Sequence, residues 1–299
     1  MKLRHQFERL AFLLVLFAVR ILSRTQVLAL GRAFGSLAYL LDRRHRIVAL
    51  ENYHAAFPDA SEKEVRKTIR SCYCFFSSYL FDMLTCFSGY SYKTFETYEY
   101  EGMEHLEAAY RRGKGTIFFG GHMGAWEIMA LAQGARGFQL GLVVRRLDNP
   151  HLELLLEKVR TLTGNFSIEK KEGFRPMLKA LREGRGLAVL MDQNVRTEDR
   201  VFVEFFGRSA STTPSVALLK LKTDCSLIPV SGHWLSGNRY RFTYGAPVDV
   251  PLSGDRQEDV LRLTQECTRL IEQRIRQHPE CWLWMHRRWK TQPEKPETK

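Results

Sequence analysis

The chain has 299 residues, 44% hydrophobic and 26% charged, with 45 Lys and Arg against 33 Asp and Glu for a net charge of +12. That balance excludes a disordered or low-complexity protein, and 21 Gly with 10 Pro exclude a collagen-like or Pro-rich chain. The length suits one large domain, or a main domain with an appendage; the charge leaves nucleic acid, an anionic membrane surface or acidic substrates open as partners.

In chain order, the charge is concentrated at the start. Residues 1–46 hold nine Lys/Arg and two acids, a net +7, residues 281–299 add +3, and everything between contributes +2. The N-terminal charge brackets an apolar run of ten residues, Leu10–Val19, closed by Arg9 and Arg20. Spanning hydrocarbon takes about 20 apolar residues, and no small-residue cleavage site follows Ala18, so a surface anchor on an anionic leaflet is the expected reading. A single span that counts Ile21 and Leu22, a soluble core helix and a signal peptide are the other readings. A second apolar run, Val27–Leu41, continues the segment. The expected division is an anchor over 1–46 and a main domain over 47–299.

Residues 47–90 read as helical, with a capping-box start at Ser61-Glu-Lys-Glu64. Their aromatic-rich stretch, with Phe75, Phe76, Tyr79, Leu80 and Phe81, reads as ordinary core or as the wall of an apolar groove. Cys72 and Cys74 belong to it. None of the six cysteines makes a CxxC pair or a metal-ligand spacing, so buried free thiols of a reducing compartment are expected. Alternation begins after residue 100. Helices are expected over Met103–Arg112, Gly124–Gln133, His151–Thr161, Phe174–Glu183, from Ser211-Thr-Thr-Pro214 to Lys222, and over Arg256–Gln277. Strands are expected at Gly115–Phe119, Leu140–Val144, Gly186–Met191, Ser226–Val230 and Arg239–Tyr244. The pattern predicts an α/β fold, a mostly parallel sheet flanked by helices, with an N-terminal membrane-anchoring helix.

In such sheets functional groups gather past the carboxyl ends of the strands. Reading there gives Gly120-Gly121-His122 with Glu127 beyond it, Arg145-Arg146-Leu-Asp148-Asn149-Pro150, Asp192-Gln193-Asn194, and Ser231-Gly-His233. His122 and Glu127 are the sharpest pair. On one regular helix their offset separates the side chains by about 140°. With His122 in a loop and Glu127 in the first helical turn, the carboxylate reaches the ring and fixes its tautomer, so that the other nitrogen acts as a base. An unrelated loop histidine and surface acid is the bland alternative.

The stretch GTIFFGGHMGAWE resembles the His-x-x-x-x-Asp/Glu motif of membrane acyltransferases. With VVRRLDNP (143–150), GLAVLMDQN (186–194), FFGRSASTTPSVALLK (205–220) and CWLWMHRRWKTQPE (281–294), the chain resembles, over nearly its whole length, the late acyltransferases of lipid A biosynthesis, the lauroyl and myristoyl transferases acting on Kdo-lipid A. The resemblance implies a bacterial inner-membrane enzyme on the cytoplasmic face. Such an enzyme moves an acyl chain from acyl-acyl carrier protein to the hydroxyl of a hydroxyacyl group on a lipid A precursor. It implies His122 as general base and Glu127 as its partner. Arg145 would bind acceptor phosphate or stabilise developing charge, and Asp192 would orient substrate or pair with an arginine. Arg208 is a further substrate-binding candidate, and the neighbouring threonines read as caps for the helix at Pro214. The same chemistry on an aminolipid or another glycolipid is the alternative.

Direct attack of an alcohol on a thioester needs a base, an oxyanion site and exclusion of water, but no metal, cofactor or covalent nucleophile. The sequence has no G-x-S-x-G elbow, H-E-x-x-H or P-loop. A nucleic-acid-binding protein or a non-catalytic scaffold would leave the strand-end His and Glu unexplained. Arg287 and Arg288 beside Trp282, Trp284 and Trp289 are expected either at the membrane interface or on phosphate, or packed on the core.

Overall fold

The computed structural model describes residues 3–87, 92–236 and 238–294; residues 88–90 of the expected helical region and 295–299 of the basic tail lie outside it. Four helices come first: α1 (Leu3–Ile21), α2 (Arg24–Leu41), α3 (Arg43–Ala56) and α4 (Glu62–Cys86). Then follow α5 (Tyr92–Glu96), β1 (Glu99–Glu101), α6 (Met103–Arg111), β2 (Thr116–Gly120), α7 (Trp126–Ala135), β3 (Leu140–Val144), α8 (Pro150–Arg160) and β4 (Phe166–Glu169). After a 3-10 turn (Lys170–Glu172) come α9 (Phe174–Arg182), β5 (Gly186–Leu190), β6 (Val201–Phe205), β7 (Arg208–Thr212), α10 (Ser215–Thr223), β8 (Ser226–Leu235), β9 (Arg239–Tyr244) and α11 (Arg256–Gln277). A second 3-10 turn (Pro279–Cys281) leads into the tail.

The main sheet runs β1-β9-β8-β2-β5-β3-β4. Strands β8, β2, β5, β3 and β4 are mutually parallel, β9 is antiparallel to β8, and β1 is parallel to β9. The α/β, mostly parallel expectation therefore holds. β2 and β5 are central, flanked by strands on both sides, and β2 is buried along its whole length, as the run TIFFG demands. The sequence reading missed β1, β4 and the hairpin β6–β7. It also ended β8 too early: that strand continues to Leu235, so Ser231, Gly232 and His233 pair with β9 instead of forming a loop past the strand.

The N-terminal segment is built into this body. α2 lies against α4 so closely that a Cβ on Gly31 would meet Ser78 Cα at 2.6 Å, and one on Gly35 would meet Cys74 Cα at 2.6 Å. Inward-facing Val27 and Leu28 are fully buried. Arg24, one of the nine N-terminal cations, turns inward to Asp82, which is buried, at 2.7 Å; Tyr240 donates its hydroxyl to the same carboxylate at 2.9 Å. Among the described residues no helix is long and apolar enough to cross a membrane. What α1 and α2 do present is an outward apolar face, with Leu10, Leu14, Phe17 and Ile21 on one helix and Leu30, Phe34, Leu37 and Leu41 on the other.

The C-terminal aromatics are core: Trp282, Trp284 and Trp289 are buried. Arg288 is 1% exposed; its guanidinium donates to the Ser211 carbonyl and the Thr212 hydroxyl and lies over Phe205, whereas Arg287 is exposed. All six cysteines are free, and all but Cys74 are buried.

Candidate active site

The site grows from the register of β2 and β5. Gly120 is paired with Leu190, the last residue of each strand. Two residues further along each chain stand His122 and Asp192, so equal offsets from one rung bring them face to face. The His122 ring nitrogen Nδ1 lies 2.7 Å from Asp192 Oδ1, and the His122 backbone N–H donates to Asp192 Oδ2 at 2.7 Å. Gly121 permits this approach, because a Cβ there would come within 2.9 Å of Asp192 Oδ2. A third donor arrives from the tail: the Trp282 indole N–H reaches Asp192 Oδ2 at 2.7 Å. Trp282 is held by backbone bonds to the His122 loop, Gly124 N–H to Cys281 O at 2.9 Å and Leu283 N–H to His122 O at 3.1 Å.

Burial would raise the Asp192 carboxyl, but the charge and hydrogen bond of His122, with the Trp282 indole, outweigh it and hold the group below its ordinary value. An ionised carboxylate only accepts, so Nδ1 is the nitrogen that carries a proton toward Asp192, and Nε2 is the one left to exchange a proton with substrate. The Gln193 side-chain amide lies 3.3 Å from Nε2.

The expected contact between Glu127 and the ring is not what forms: Asp192 occupies Nδ1, and the Glu127 carboxylate turns to Arg160, whose Nη2 donates at 3.1 Å. Glu127 opens α7, so its side chain leaves from the helix, while the ring of His122 faces β5. Arg160 is buried and also stands 3.8 Å from Glu153. Sequence reasoning missed Arg160. The available signal was its place four residues after Leu156 and eight after Leu152, on the face of α8 that periodicity assigns to the interior.

His122, Trp126 and Glu127 open onto a cavity of about 190 Å³. It runs beneath α7, past Met129 and Ala130 to Gln133 and Leu140, with Phe118 and Ala188 of the sheet as its wall. Because α7 runs antiparallel to the strands it connects, Gln133 marks the deep end, about 10 Å of helix from Trp126. Trp126 and Glu127 also border a second, apolar cavity of about 270 Å³ under α1, α4 and α8, lined by Phe12, Tyr79, Leu80 and Leu156. Of the aromatic stretch in α4, then, Tyr79 and Leu80 wall a groove, while Phe75 and Phe76 are core.

Arg145 is exposed at the mouth of the first cavity. Arg208 is elsewhere: it sits at the hairpin turn with its guanidinium 5.2 Å from the Trp289 ring, and it lines neither cavity. Thr213 accepts the Ser215 N–H at 3.3 Å, a local cap for α10, and Thr212 binds Arg288.

Comparison with known proteins follows the same lines. The family model described as bacterial lipid A biosynthesis acyltransferase matches residues 2–291. The lipid A biosynthesis lauroyltransferase of Escherichia coli is 26% identical over 282 residues, covering 94% of this chain and 90% of that protein. The myristoyltransferase of Escherichia coli is 25% identical, covering 90% and 81%, and its palmitoleoyltransferase 24% identical, covering 88% and 85%.

Proposed function

This chain belongs to the bacterial lipid A biosynthesis acyltransferases, and from that membership we propose that it moves a fatty acyl chain from acyl-acyl carrier protein to the hydroxyl of a hydroxyacyl chain on a lipid A precursor. The observation that carries the reading is a histidine with a fixed tautomer opening onto a cavity whose walls are mostly apolar and which also holds Glu127 and Arg160.

His122 Nε2 removes the proton of the acceptor hydroxyl as its oxygen bonds to the thioester carbon. The tetrahedral oxyanion then collapses, the C–S bond breaks, and the imidazolium returns the proton to the leaving thiolate. Asp192 stabilises the imidazolium and prevents the ring from turning. Glu127, held by Arg160 beside the same cavity, orients the attacking hydroxyl in place of the ring. Arg145 supplies positive charge at the cavity mouth. For Arg208 a role in binding acceptor would have to be indirect, through the hairpin that holds Trp289.

The relatives' names differ in acyl chain, lauroyl, myristoyl and palmitoleoyl, so membership leaves chain length to the shape of this cavity. The outward apolar face of α1 and α2, flanked by Arg9 and Arg20, supports docking on an anionic inner-membrane surface from the cytoplasmic side.

The test is direct. Purified protein, incubated with acyl-carrier-protein thioesters of several lengths and a tetra-acylated lipid A precursor, should add one acyl mass to the lipid. His122→Ala should abolish the gain with the fold intact by circular dichroism. No gain with any donor would sink the assignment.

A further inference from the structure

Attack on a thioester places negative charge on the carbonyl oxygen, and the pair of His122 and Asp192 supplies a base but no donor for that oxygen. The edges of the His122 ring are divided among three neighbours. Asp192 holds Nδ1 at 2.7 Å, Trp126 stands edge-on to the ring with centroids 5.3 Å apart, and the amide nitrogen of Gln193 lies 3.3 Å from Nε2. A ring acting as base is neutral and offers a lone pair at Nε2, so the group that faces it there is the amide NH2, a donor. Among the described residues the Gln193 side chain makes no other hydrogen bond, and it is exposed.

The backbone on either side of that side chain is pinned. Asp192 is buried and receives three donors. Asn194 donates its backbone N–H to His286 Nε2 at 2.9 Å; its side chain donates to the Thr291 hydroxyl and accepts the Thr291 N–H, both at 3.0 Å. The tail that carries His286 and Thr291 is itself fastened by Asn52, whose amide donates to the Trp284 and His286 carbonyls at 2.7 Å. Gln193 is therefore a free side chain on a fixed backbone, aimed at the proton-accepting nitrogen. An attacking hydroxyl within hydrogen-bond reach of Nε2, about 2.6–3.2 Å, takes the place of the amide. With the acyl chain in the cavity the thioester carbon stands at the mouth beside the ring, and the displaced NH2 comes within reach of the oxygen on that carbon, as an oxyanion donor must. Its neighbours are less suited: Glu127 only accepts, and Arg160 spends Nε and Nη2 on Glu127 and faces Glu153 with Nη1 at 3.8 Å.

We propose that Gln193 is the oxyanion donor of the transfer, its NH2 moving from His122 Nε2 to the thioester carbonyl oxygen as the acceptor hydroxyl arrives. When the hydroxyl oxygen bonds to the carbonyl carbon, its proton passes to Nε2, and the π pair of the C=O bond settles on the oxygen that Gln193 then holds. As the C=O bond re-forms, the C–S bond breaks, its electron pair leaves on sulfur, and Nε2 returns the proton to it. The inference rests on the acyl-transfer reading, and its test separates the two.

Initial rates are compared for the native enzyme, Gln193→Leu and Gln193→Glu, with acyl-carrier-protein thioesters and a tetra-acylated lipid A precursor. Loss of one oxyanion donor should lower the kcat of Gln193→Leu about 10²–10³-fold, by the same factor for donors of every chain length. Gln193→Glu, which sets a negative charge against the oxyanion, should fall at least as far. KM for donor and acceptor should stay near native, and so should the melting temperature, because the side chain is exposed. A kcat within threefold of native overturns the proposal. So does a rise in either KM that accounts for the loss, which would make Gln193 a binding residue, or a faster Gln193→Leu, which would make it a cover that substrate displaces. Octylphosphonate, a tetrahedral anion on an alkyl chain, gives a readout independent of turnover: calorimetry should show Gln193→Leu binding it about tenfold more weakly, the loss expected of a hydrogen bond to a charged group. If the native protein transfers nothing, the activity assignment fails; the donor proposal then stands if the variant binds octylphosphonate more weakly, and falls if binding is equal or absent in both.

Discussion

A carboxylate that receives three donors at 2.7 Å governs the tautomer and the orientation of the ring beside it. Asp192→Asn tests this, because an amide can present its NH2 to Nδ1 and force the other tautomer, protonated on Nε2. The expected loss in kcat is roughly 10²–10⁴, the usual worth of general-base help, with a small change in KM and a folded protein by thermal melt. A rate within threefold of native would remove Asp192 from the mechanism. Trp282→Phe, which deletes one of the three donors, should lower kcat less. Legibility at this scale was uneven. His122 and Asp192 are both visible past strand ends, yet their partnership is not, because it depends on sheet order. β5 inserts between β2 and β3, and nothing in chain order says that the third strand read will lie beside the first. Glu127 looked like the partner through sequence proximity, whereas the helix start carries its side chain to Arg160.

At the scale of elements, the long apolar runs and periodic helices were readable, and the failures have local causes. The hairpin β6–β7 turns through Phe206 and Gly207, with φ of 53° and 68°. Two-residue turns of that handedness usually announce themselves as Asn-Gly or Asp-Gly, and phenylalanine in the first place hides the signal. Its burial among Phe205, Trp284 and Trp289 supplies what local propensity does not. The overlong β8 has a different consequence. It places His233 against His278 at the end of α11, ring centroids 3.8 Å apart and 12° from parallel. Burial, then the facing His278 and Arg241, push His233 down to about 4, with Arg274 acting in the same direction and Glu101 against it; burial lowers His278 too, against the pull of Glu280. In the unfolded chain a histidine titrates near 6.5, so between that value and about 4 the unfolded state binds the proton that folded His233 refuses. Stability should therefore be full above pH ~6.5 and decline as the pH falls toward 4, by an amount on the order of 2 kcal/mol. Urea melts across that range should show the slope, and His233→Phe should flatten it. An unchanged slope in the variant would assign the effect to other groups.

For the whole molecule, the distribution of charge matters more than its sum. Arg24 and Arg288 belong to the N- and C-terminal excess of the sequence, but both point inward, to Asp82 and to the Ser211–Thr212 strand. Of the cations flanking the apolar run, Arg9 and Arg20 remain exposed beside the stripe of Leu10, Leu14, Phe17 and Ile21. Burying a side chain the size of Leu or Phe is worth about 1.5–3 kcal/mol, and a basic residue near an anionic leaflet about 1 kcal/mol. Hydrocarbon burial should thus dominate membrane attachment, with charge selecting the lipid. Phe17→Glu/Phe34→Glu is expected to weaken cosedimentation with neutral and anionic vesicles alike, by well over tenfold. Arg9→Gln/Arg20→Gln should remove only the preference for anionic vesicles, an effect that 0.5 M salt reproduces in the native protein by screening. Arg24→Gln should do the reverse of both. It leaves the buried Asp82 without the cation that pairs it, so the melting temperature should fall while vesicle preference is unchanged. If Arg24→Gln instead altered lipid selectivity at native stability, that arginine would face the membrane, and the docking of α2 against α4 would have to be different in the membrane-bound protein.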